Sequence, residues 1–166
     1  MEELLARLAA AGIETRTVTH PAVFTVAESQ ALRGELPGGH SKNLFLKPAK
    51  GDGPFCLAVL EEARQVSVNA LARAAGWGKV TMASAEELRA TLGVEPGSVT
   101  PFGLVNAAAG RVRVVLDAAL AAHPGLVWFH PLVNTASTGI APADLLRFLR
   151  SLGHAVAVLD LEPAPA

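Results

Sequence analysis

Lys42 is the first candidate functional residue, because its charged side chain lies between a glycine pair and a predicted strand. It follows a glycine pair, Gly38 and Gly39, and precedes an apolar segment, residues 44–47, that is typical of a strand. A lysine at the rim of a pocket binds phosphate, carboxylate or carbonyl oxygen through its ammonium group. Asn43 beside it offers both a donor and an acceptor. A solvated lysine next to a strand is the alternative that this position leaves open.

A second candidate is the turn 97–101, in which a glycine and a proline flank three other residues. A turn between small or rigid residues exposes backbone N–H groups, and such groups bind an anionic oxygen without any charged side chain. The apolar segment that follows, residues 102–104, is predicted to be a strand. The same spacing is common in ordinary loops, so a purely structural turn stays open. The candidate residues are Gly97, Ser98, Val99, Thr100 and Pro101.

A third candidate is His130, which ends the predicted strand 126–130 and precedes a polar run that begins with Asn134. A side chain at a strand end can leave the core and meet solvent or substrate, although a lone histidine is also often structural. The other four histidines show no zinc-type spacing with it. The single cysteine, Cys56, lies in an apolar run that predicts a buried strand. We therefore expect no metal ion.

Motifs of several common enzyme classes are missing from the sequence. It contains no G-x-S-x-G elbow, no P-loop and no G-x-G-x-x-G turn. Serine hydrolases, nucleotidases and dehydrogenases therefore lose their best sequence support.

Length, composition and charge limit the classes of protein to which this chain can belong. A chain of 166 residues, 51% of them hydrophobic, can bury one sizeable core, so we predict one domain over residues 1–161 and a loose tail at 162–166. The apolar runs are too short for a membrane span and the amino terminus does not resemble a secretory signal, so we expect a cytoplasmic protein. With 14 basic and 15 acidic residues, the chain lacks the excess of positive charge that is usual in proteins that cover many phosphates, so we expect no extensive binding to duplex DNA. Contact with a nucleic-acid end stays open.

Helical and strand patterns alternate along the chain. The turn-rich segment 50–54 separates two apolar runs, 44–47 and 55–60, which predicts a hairpin. Ser84 and Glu87 predict a capping box at the start of a helix that runs to Leu92. Because a hairpin and parallel crossovers both occur, we expect an α/β fold with a mixed sheet surrounded by helices. The other predicted helices cover residues 2–11, 26–36, 69–75 and 142–152, and the other predicted strands cover 13–18, 111–116, 126–130 and 155–159.

Four segments occur in order along the chain: His20-Pro21, the run GGHSKNLFLK at 38–47, the run GSVTPFGL at 97–104, and FHPL at 129–132 followed by Asn134-Thr135. Together they closely resemble the YbaK/ProX family, and within it the free-standing prolyl-tRNA editing proteins. The resemblance extends from about His20 to His154 and implies a YbaK-like, mostly antiparallel mixed sheet.

The resemblance also implies a function, the trans-editing hydrolysis of alanine mischarged onto proline tRNA. A synthetase pocket shaped for proline cannot fully exclude alanine, because missing methylenes give only about 1–3 kcal/mol of discrimination. By the same resemblance, the turn 97–101 holds the ester or its amino group, and Lys42 positions the substrate and stabilises charge. Asn43, His130 and Asn134 orient the pocket. No metal, cofactor or protein nucleophile is implied. The implied partner is the tRNA acceptor end, with prolyl-tRNA synthetase as a further candidate.

Some positions depart from the family pattern. Ala107 follows Asn106 where the family often has aspartate, Ser137 replaces threonine, and Lys79 stands in a region where arginine is common. These departures leave the identity of the amino acid open, so a deacylase for cysteine or another small amino acid is the nearest alternative. A non-catalytic module that binds an amino acid or a tRNA end is the alternative from a different class.

Overall fold

Eight strands form one mixed sheet in the computed structural model, and helices pack on both of its faces. The structure describes residues 1–22, 31 and 36–161. The described strands are β1 (Thr15–Thr19), β2 (Gly39–Pro48), β3 (Phe55–Glu61), β4 (Val80–Met82), β5 (Val112–Asp117), β6 (Val127–Phe129), β7 (Ala136–Ile140) and β8 (Ala155–Leu159). The described α-helices are α1 (Glu2–Ala10), α2 (Val68–Ala75), α3 (Ala85–Leu92), α4 (Ala118–Ala121) and α5 (Pro142–Ser151), and two 3₁₀ helices cover Pro96–Ser98 and Pro101–Asn106.

The order of the strands across the sheet is β1-β7-β6-β2-β3-β5-β8, and β4 pairs separately with β2. Four of the described pairings are antiparallel: β1 with β7, β2 with β3, β2 with β4, and β6 with β7. The other three, β2 with β6, β3 with β5 and β5 with β8, are parallel. The predicted α/β fold with a mixed, mostly antiparallel sheet is therefore confirmed.

Both faces of the central strand β3 are buried, because helices cover the sheet on each side. Phe55, Leu57 and Val59 join a first cluster that contains Phe102 and residues of α1, α3 and α5. The alternate residues of β3 join a second cluster with Leu71 of α2. The predicted buried strand around the cysteine is confirmed, since Cys56 lies in this second cluster and is fully buried, and burial raises the pKa of its thiol.

Local signals place two of the elements that support the site. The Ser84 hydroxyl accepts a hydrogen bond from the backbone N–H of Glu87, and the Glu87 carboxylate accepts one from the backbone N–H of Ser84, so the predicted capping box of α3 is confirmed. Hydrogen bonds from Lys47 and from Ser84 lower the pKa of Glu87 to about 2. The predicted hairpin is also confirmed, as β2 and β3 pair antiparallel with Leu46 opposite Cys56.

The glycine pair ahead of Lys42 allows two strands to approach closely. A Cβ on Gly38, whose φ is +138°, would overlap the carbonyl oxygen of Leu126, and one on Gly39 would lie 2.9 Å from a Val127 methyl carbon. Gly39 pairs with Val127 at the start of the parallel ladder between β2 and β6. Strand β2 therefore begins at Gly39 and not at residue 44 as predicted, and Lys42 lies within the strand.

Two segments differ in type from the sequence-based expectation. Residues 102–104 lie in a 3₁₀ helix and not in a strand, because Pro101 starts the helix and the Thr100 hydroxyl caps the N–H of Phe102. Part of the polar run after His130 forms strand β7, whose five residues are all buried. The predicted helix 26–36 falls mainly outside the described residues, and the predicted tail 162–166 falls wholly outside them. No described helix is long and apolar enough to cross a membrane.

Candidate functional site

Lys42 and Asn43 extend from opposite faces of β2, because successive side chains of a strand alternate. The ammonium group of Lys42 donates a hydrogen bond to the backbone carbonyl of Arg64. The amide nitrogen of Asn43 donates to the Ser41 hydroxyl at 3.3 Å. The two candidate side chains of β2 therefore have different surroundings.

The amide oxygen of Asn43 is buried and has no hydrogen-bond partner in the described part of the chain. A buried acceptor without a partner is unfavourable, and such groups are rare unless a ligand or water completes them. Asn43 thus presents an unused acceptor beside Ser41, which itself donates weakly, at 3.5 Å, to the carbonyl of Trp128 on β6. This arrangement suits a ligand that carries a hydrogen-bond donor.

His130 directly follows β6, and its protonation state is defined by its surroundings. Its Nδ1 lies 3.0 Å from the carbonyl of Ala136, which can only accept, so Nδ1 carries the hydrogen. Burial lowers the pKa of His130 below its usual 6.5, and the charge of nearby His20 lowers it further, against the opposing effect of the Ala136 hydrogen bond. The ring is therefore neutral near pH 7, and its Nε2 is available as an acceptor.

His20 holds the end of β1 close to His130. Its Nδ1 donates to the carbonyl of Pro21 at 2.8 Å, and its Nε2 is hydrogen-bonded to the Ser137 hydroxyl at 2.9 Å. The centres of the two imidazole rings are 6.3 Å apart. Ser137, one of the positions that depart from the family pattern, thus anchors a neighbour of His130.

Hydrogen bonds to neighbouring residues fix the conformation of the turn 97–101. The N–H of Ser98 donates to the carbonyl of Glu95 at 2.8 Å, so it is already satisfied within the first 3₁₀ helix. Thr100 is fully buried and caps the second 3₁₀ helix, which Pro101 begins. Val99 packs against the first cluster. In this structure, Val99, Thr100 and Pro101 position the turn, and Gly97 and Ser98 border open space.

That open space is a groove of about 710 Å³. It is lined by Arg89 and by residues 93–95, 97–98 and 132–135, so Gly97, Ser98 and Asn134 share it. A Cβ built on Gly97 would lie 3.9 Å from the amide nitrogen of Asn134. Leu132 lines the groove with a φ of +72°, which is unfavourable for a residue with a side chain. Two of the three candidate segments therefore meet in one concave site.

A ring contact connects the 3₁₀ helix that follows the turn 97–101 to the strand that precedes His130. Phe102 of the second 3₁₀ helix packs edge to face on Phe129 of β6, with ring centres 5.9 Å apart. Strand β2 is the parallel neighbour of β6 in the sheet, and His40 lies opposite Trp128. Lys42 is not among the residues that line the groove. A single pocket that contains both Lys42 and the turn 97–101 stays a prediction.

Several groove residues could not be identified from the sequence. Arg89 and Glu95 form an ion pair at 2.8 Å on its rim, and both side chains are exposed. Arg89 belongs to a helix whose pattern predicts only packing, and leucine is not a residue type that signals a positive φ at position 132. No group of three or more His, Cys, Asp or Glu side chains that could hold a metal ion occurs among residues 1–22, 31 and 36–161.

The fold and these segments are those of an aminoacyl-tRNA editing domain. Residues 20–148 match that family, so the chain belongs to it, and the predicted family resemblance is confirmed. Prolyl-tRNA synthetase associated domain-containing protein 1 of Bos taurus is 40% identical over 159 residues, which cover 94% of this chain and 92% of that protein. Prolyl-tRNA editing protein ProX of Acetoanaerobium sticklandii is 28% identical over 160 residues, or 96% of each chain. The crystal structure of a candidate trans-editing enzyme for prolyl tRNA synthetase superposes with a TM-score of 0.69 at 25% identity, covering 97% of this chain and 96% of that one.

Proposed function

We propose that this protein is a metal-independent aminoacyl-tRNA hydrolase that removes alanine from mischarged proline tRNA. The observation that carries the proposal is the groove that Gly97, Ser98 and Asn134 share within a chain of the editing-domain family. Relatives named for prolyl-tRNA editing and for association with prolyl-tRNA synthetase support proline tRNA as the substrate and the synthetase as a partner. The proposal places the protein in the cytoplasm and assigns it no role on DNA.

The reaction is the hydrolysis of an activated ester. Water adds to the carbonyl carbon of the aminoacyl group, the bond to the ribose oxygen breaks, and that oxygen takes up a proton, which releases alanine and free tRNA. Negative charge develops on the carbonyl oxygen, so a positioned cation or backbone N–H group lowers the barrier. We assign this role to the ammonium group of Lys42 and to the turn 97–101.

A neutral acceptor in the site suits the other end of the substrate. The α-amino group of an aminoacyl ester carries hydrogen-bond donors, and Nε2 of His130 is an acceptor. Asn43, whose side chain lies on the face of β2 opposite to Lys42, orients the pocket without binding the group that Lys42 binds. Asn134, which lies beside Gly97 in the lining of the groove, orients the substrate in the same proposal. Positioning and electrostatics then supply most of the rate, which suits an ester that is already reactive.

We propose that selection against proline rests on size, in a side-chain subsite that is narrower than the groove of about 710 Å³ as a whole. A pocket that fits a methyl side chain excludes the larger pyrrolidine ring, so correctly charged tRNA survives while alanyl-tRNA is hydrolysed. This second sieve corrects an error that the synthetase cannot avoid by binding alone.

A deacylation assay tests the proposal. Purified protein is incubated with alanyl-, cysteinyl- and prolyl-tRNA made on the same proline tRNA, and ester loss is measured against a no-protein control. We expect rapid loss of alanine, slow loss of cysteine and retention of proline. Preferred loss of cysteine would assign the alternative substrate, and binding without any ester loss would assign a non-catalytic module.

The Lys42→Ala variant tests the assigned cation. We expect deacylation to fall by at least about 100-fold, which corresponds to about 2.7 kcal/mol of transition-state stabilisation, with an unchanged circular dichroism spectrum. Full activity in a folded Lys42→Ala protein would remove Lys42 from the mechanism.

A further inference from the structure

A buried ion pair lies beside Lys42. Asp117 ends β5, and its side chain is fully buried. Arg64 binds both carboxylate oxygens, with Nε donating to Oδ2 and Nη2 donating to Oδ1, each at 3.0 Å. The backbone N–H groups of Glu61 and Ala119 donate to the same carboxylate at 3.0 and 3.1 Å. Burial raises the pKa of Asp117, but these hydrogen bonds outweigh it and hold that pKa below its usual value.

Arg64 connects this ion pair to Lys42. Its backbone carbonyl accepts the hydrogen bond from the Lys42 ammonium group, and its side chain binds Asp117. The backbone N–H of Arg64 donates to the carbonyl of Glu61 at 2.9 Å, and this hydrogen bond joins the two ends of the turn 61–64. Asp117 binds this turn through the N–H of Glu61 and through the Arg64 side chain. The Asp117 carboxylate therefore fixes the position of the Arg64 carbonyl, which accepts the hydrogen bond from Lys42.

The sheet register explains why these residues meet. Lys42 lies opposite Leu60 on β3, and the neighbouring residue Val59 lies opposite Leu116 on β5, one position before Asp117. Lys42, Leu60 and Asp117 thus follow one another in a row across three strands. With strands about 4.8 Å apart, the Cα atoms of Lys42 and Asp117 are about 10 Å apart. The turn 61–64 spans this interval.

Arg64 binds Lys42 through its backbone and Asp117 through its side chain, so the positive charge of Lys42 can still interact with a substrate. The guanidinium group occupies both oxygens of Asp117, and the partner of the ammonium group within residues 1–22, 31 and 36–161 is a neutral carbonyl and not a carboxylate. An ammonium group has three donors, which leaves further donors for a substrate oxygen. A direct ion pair with Asp117 would instead neutralise the cation.

We propose that Arg64 and Asp117 are positioning residues that hold the Lys42 ammonium group where the ester oxygen of the substrate binds. The proposal rests on the role assigned to Lys42 under the proposed function. A displacement of a catalytic group by about 1 Å lowers a rate by up to about 100-fold, so a fixed carbonyl under Lys42 has a measurable effect. Neither Arg64 nor Asp117 contacts the substrate in this proposal.

The test uses two conservative variants of the intact protein. Asp117→Asn keeps the shape of the side chain but removes its charge, and Arg64→Lys keeps the cation but loses the two-point contact. Arg147→Ala is the matched control, because it removes an exposed arginine that pairs with Asp144 at 3.2 Å. All variants are assayed on alanyl-tRNA of proline, at a temperature where circular dichroism shows each one folded.

We expect kcat to fall by about 10- to 100-fold in Asp117→Asn and by about 3- to 10-fold in Arg64→Lys, with KM changed less than about threefold. The control keeps the wild-type kcat. Each change is then repeated in a Lys42→Ala background under single-turnover conditions with excess protein. Because both residues act through Lys42, neither substitution should lower the residual rate further.

Multiplying effects in the Lys42→Ala background would overturn the positioning role and leave the proposed function intact. An unchanged kcat in both folded variants would overturn it as well. Full activity of Lys42→Ala alone is a different result, since it rejects the role of Lys42 on which the proposal depends. If Asp117→Asn does not fold, Arg64→Lys decides the question by the same comparison.

Discussion

Replacing Gly97 with alanine adds one methyl group to the groove and changes little else. The nearest atom to a Cβ at this position is the amide nitrogen of Asn134, at 3.9 Å, which is an ordinary contact distance. The backbone of Gly97 does not have a positive φ, so alanine fits without strain. The free energy of unfolding should therefore stay the same or rise by about 0.4–1 kcal/mol, because alanine lowers the entropy of the unfolded chain.

The same methyl group should interfere with the substrate. It lies beside Asn134 in the lining of the groove to which we assign the aminoacyl group. We expect kcat/KM for deacylation of alanyl-tRNA to fall by about 10- to 100-fold, which corresponds to about 1.4–2.7 kcal/mol. The assay is ester loss from alanyl-tRNA of proline, with the thermal midpoint measured on the same preparation.

Gly103→Ala is the contrasting variant within the same motif. Its Cβ would lie 2.8 Å from the Leu92 Cβ and 3.0 Å from the Leu92 carbonyl oxygen, so backbone must move. Such overpacking destabilises a protein by about 1–3 kcal/mol, which lowers the midpoint by about 2–12 °C in a chain of this size. Comparing Gly97→Ala with Gly103→Ala separates an effect on substrate binding from an effect on the stability of the fold. Wild-type deacylation by a stable Gly97→Ala protein would refute the assignment of the groove to the substrate.

Three further predictions concern protonation, helix capping and charge. Because the folded pKa of His130 lies below 6.5, the unfolded chain binds the extra proton as pH falls through that value. Chemical denaturation should show stability lost below pH 6.5 by at most about 1.4 kcal/mol per pH unit, and less steeply in His130→Gln; equal slopes would contradict this. Ser84→Ala removes the cap of α3 and should cost about 1 kcal/mol, seen as a midpoint about 2–4 °C lower, whereas an unchanged midpoint would argue against the capping role. Binding of proline tRNA should depend weakly on salt, because each neutralised phosphate contributes only about −0.7 to −0.9 to the slope; a slope steeper than about −3 would contradict contact limited to the acceptor end.

Short-range signals in the sequence predicted many elements correctly. The hairpin of β2 and β3, the capping box of α3 and the strand β8 depend on residues close together in the chain, so their patterns are visible without the fold. Strand β7 was missed because its residues, ASTGI, show no alternation of polar and apolar types. It becomes a strand by pairing with β1 and β6, which only the assembled sheet provides.

The types and order of the candidate residues, together with the family they resemble, could be read from the sequence alone. Which of them meet was decided by the tertiary structure. Gly97 and Asn134 line one groove, whereas Lys42 rests on a carbonyl held by Arg64 and Asp117. The physical reason is that these contacts depend on the order and register of strands that are distant in the chain. No local pattern of residues encodes that order, so the surroundings of each candidate side chain appear only when the sheet is complete.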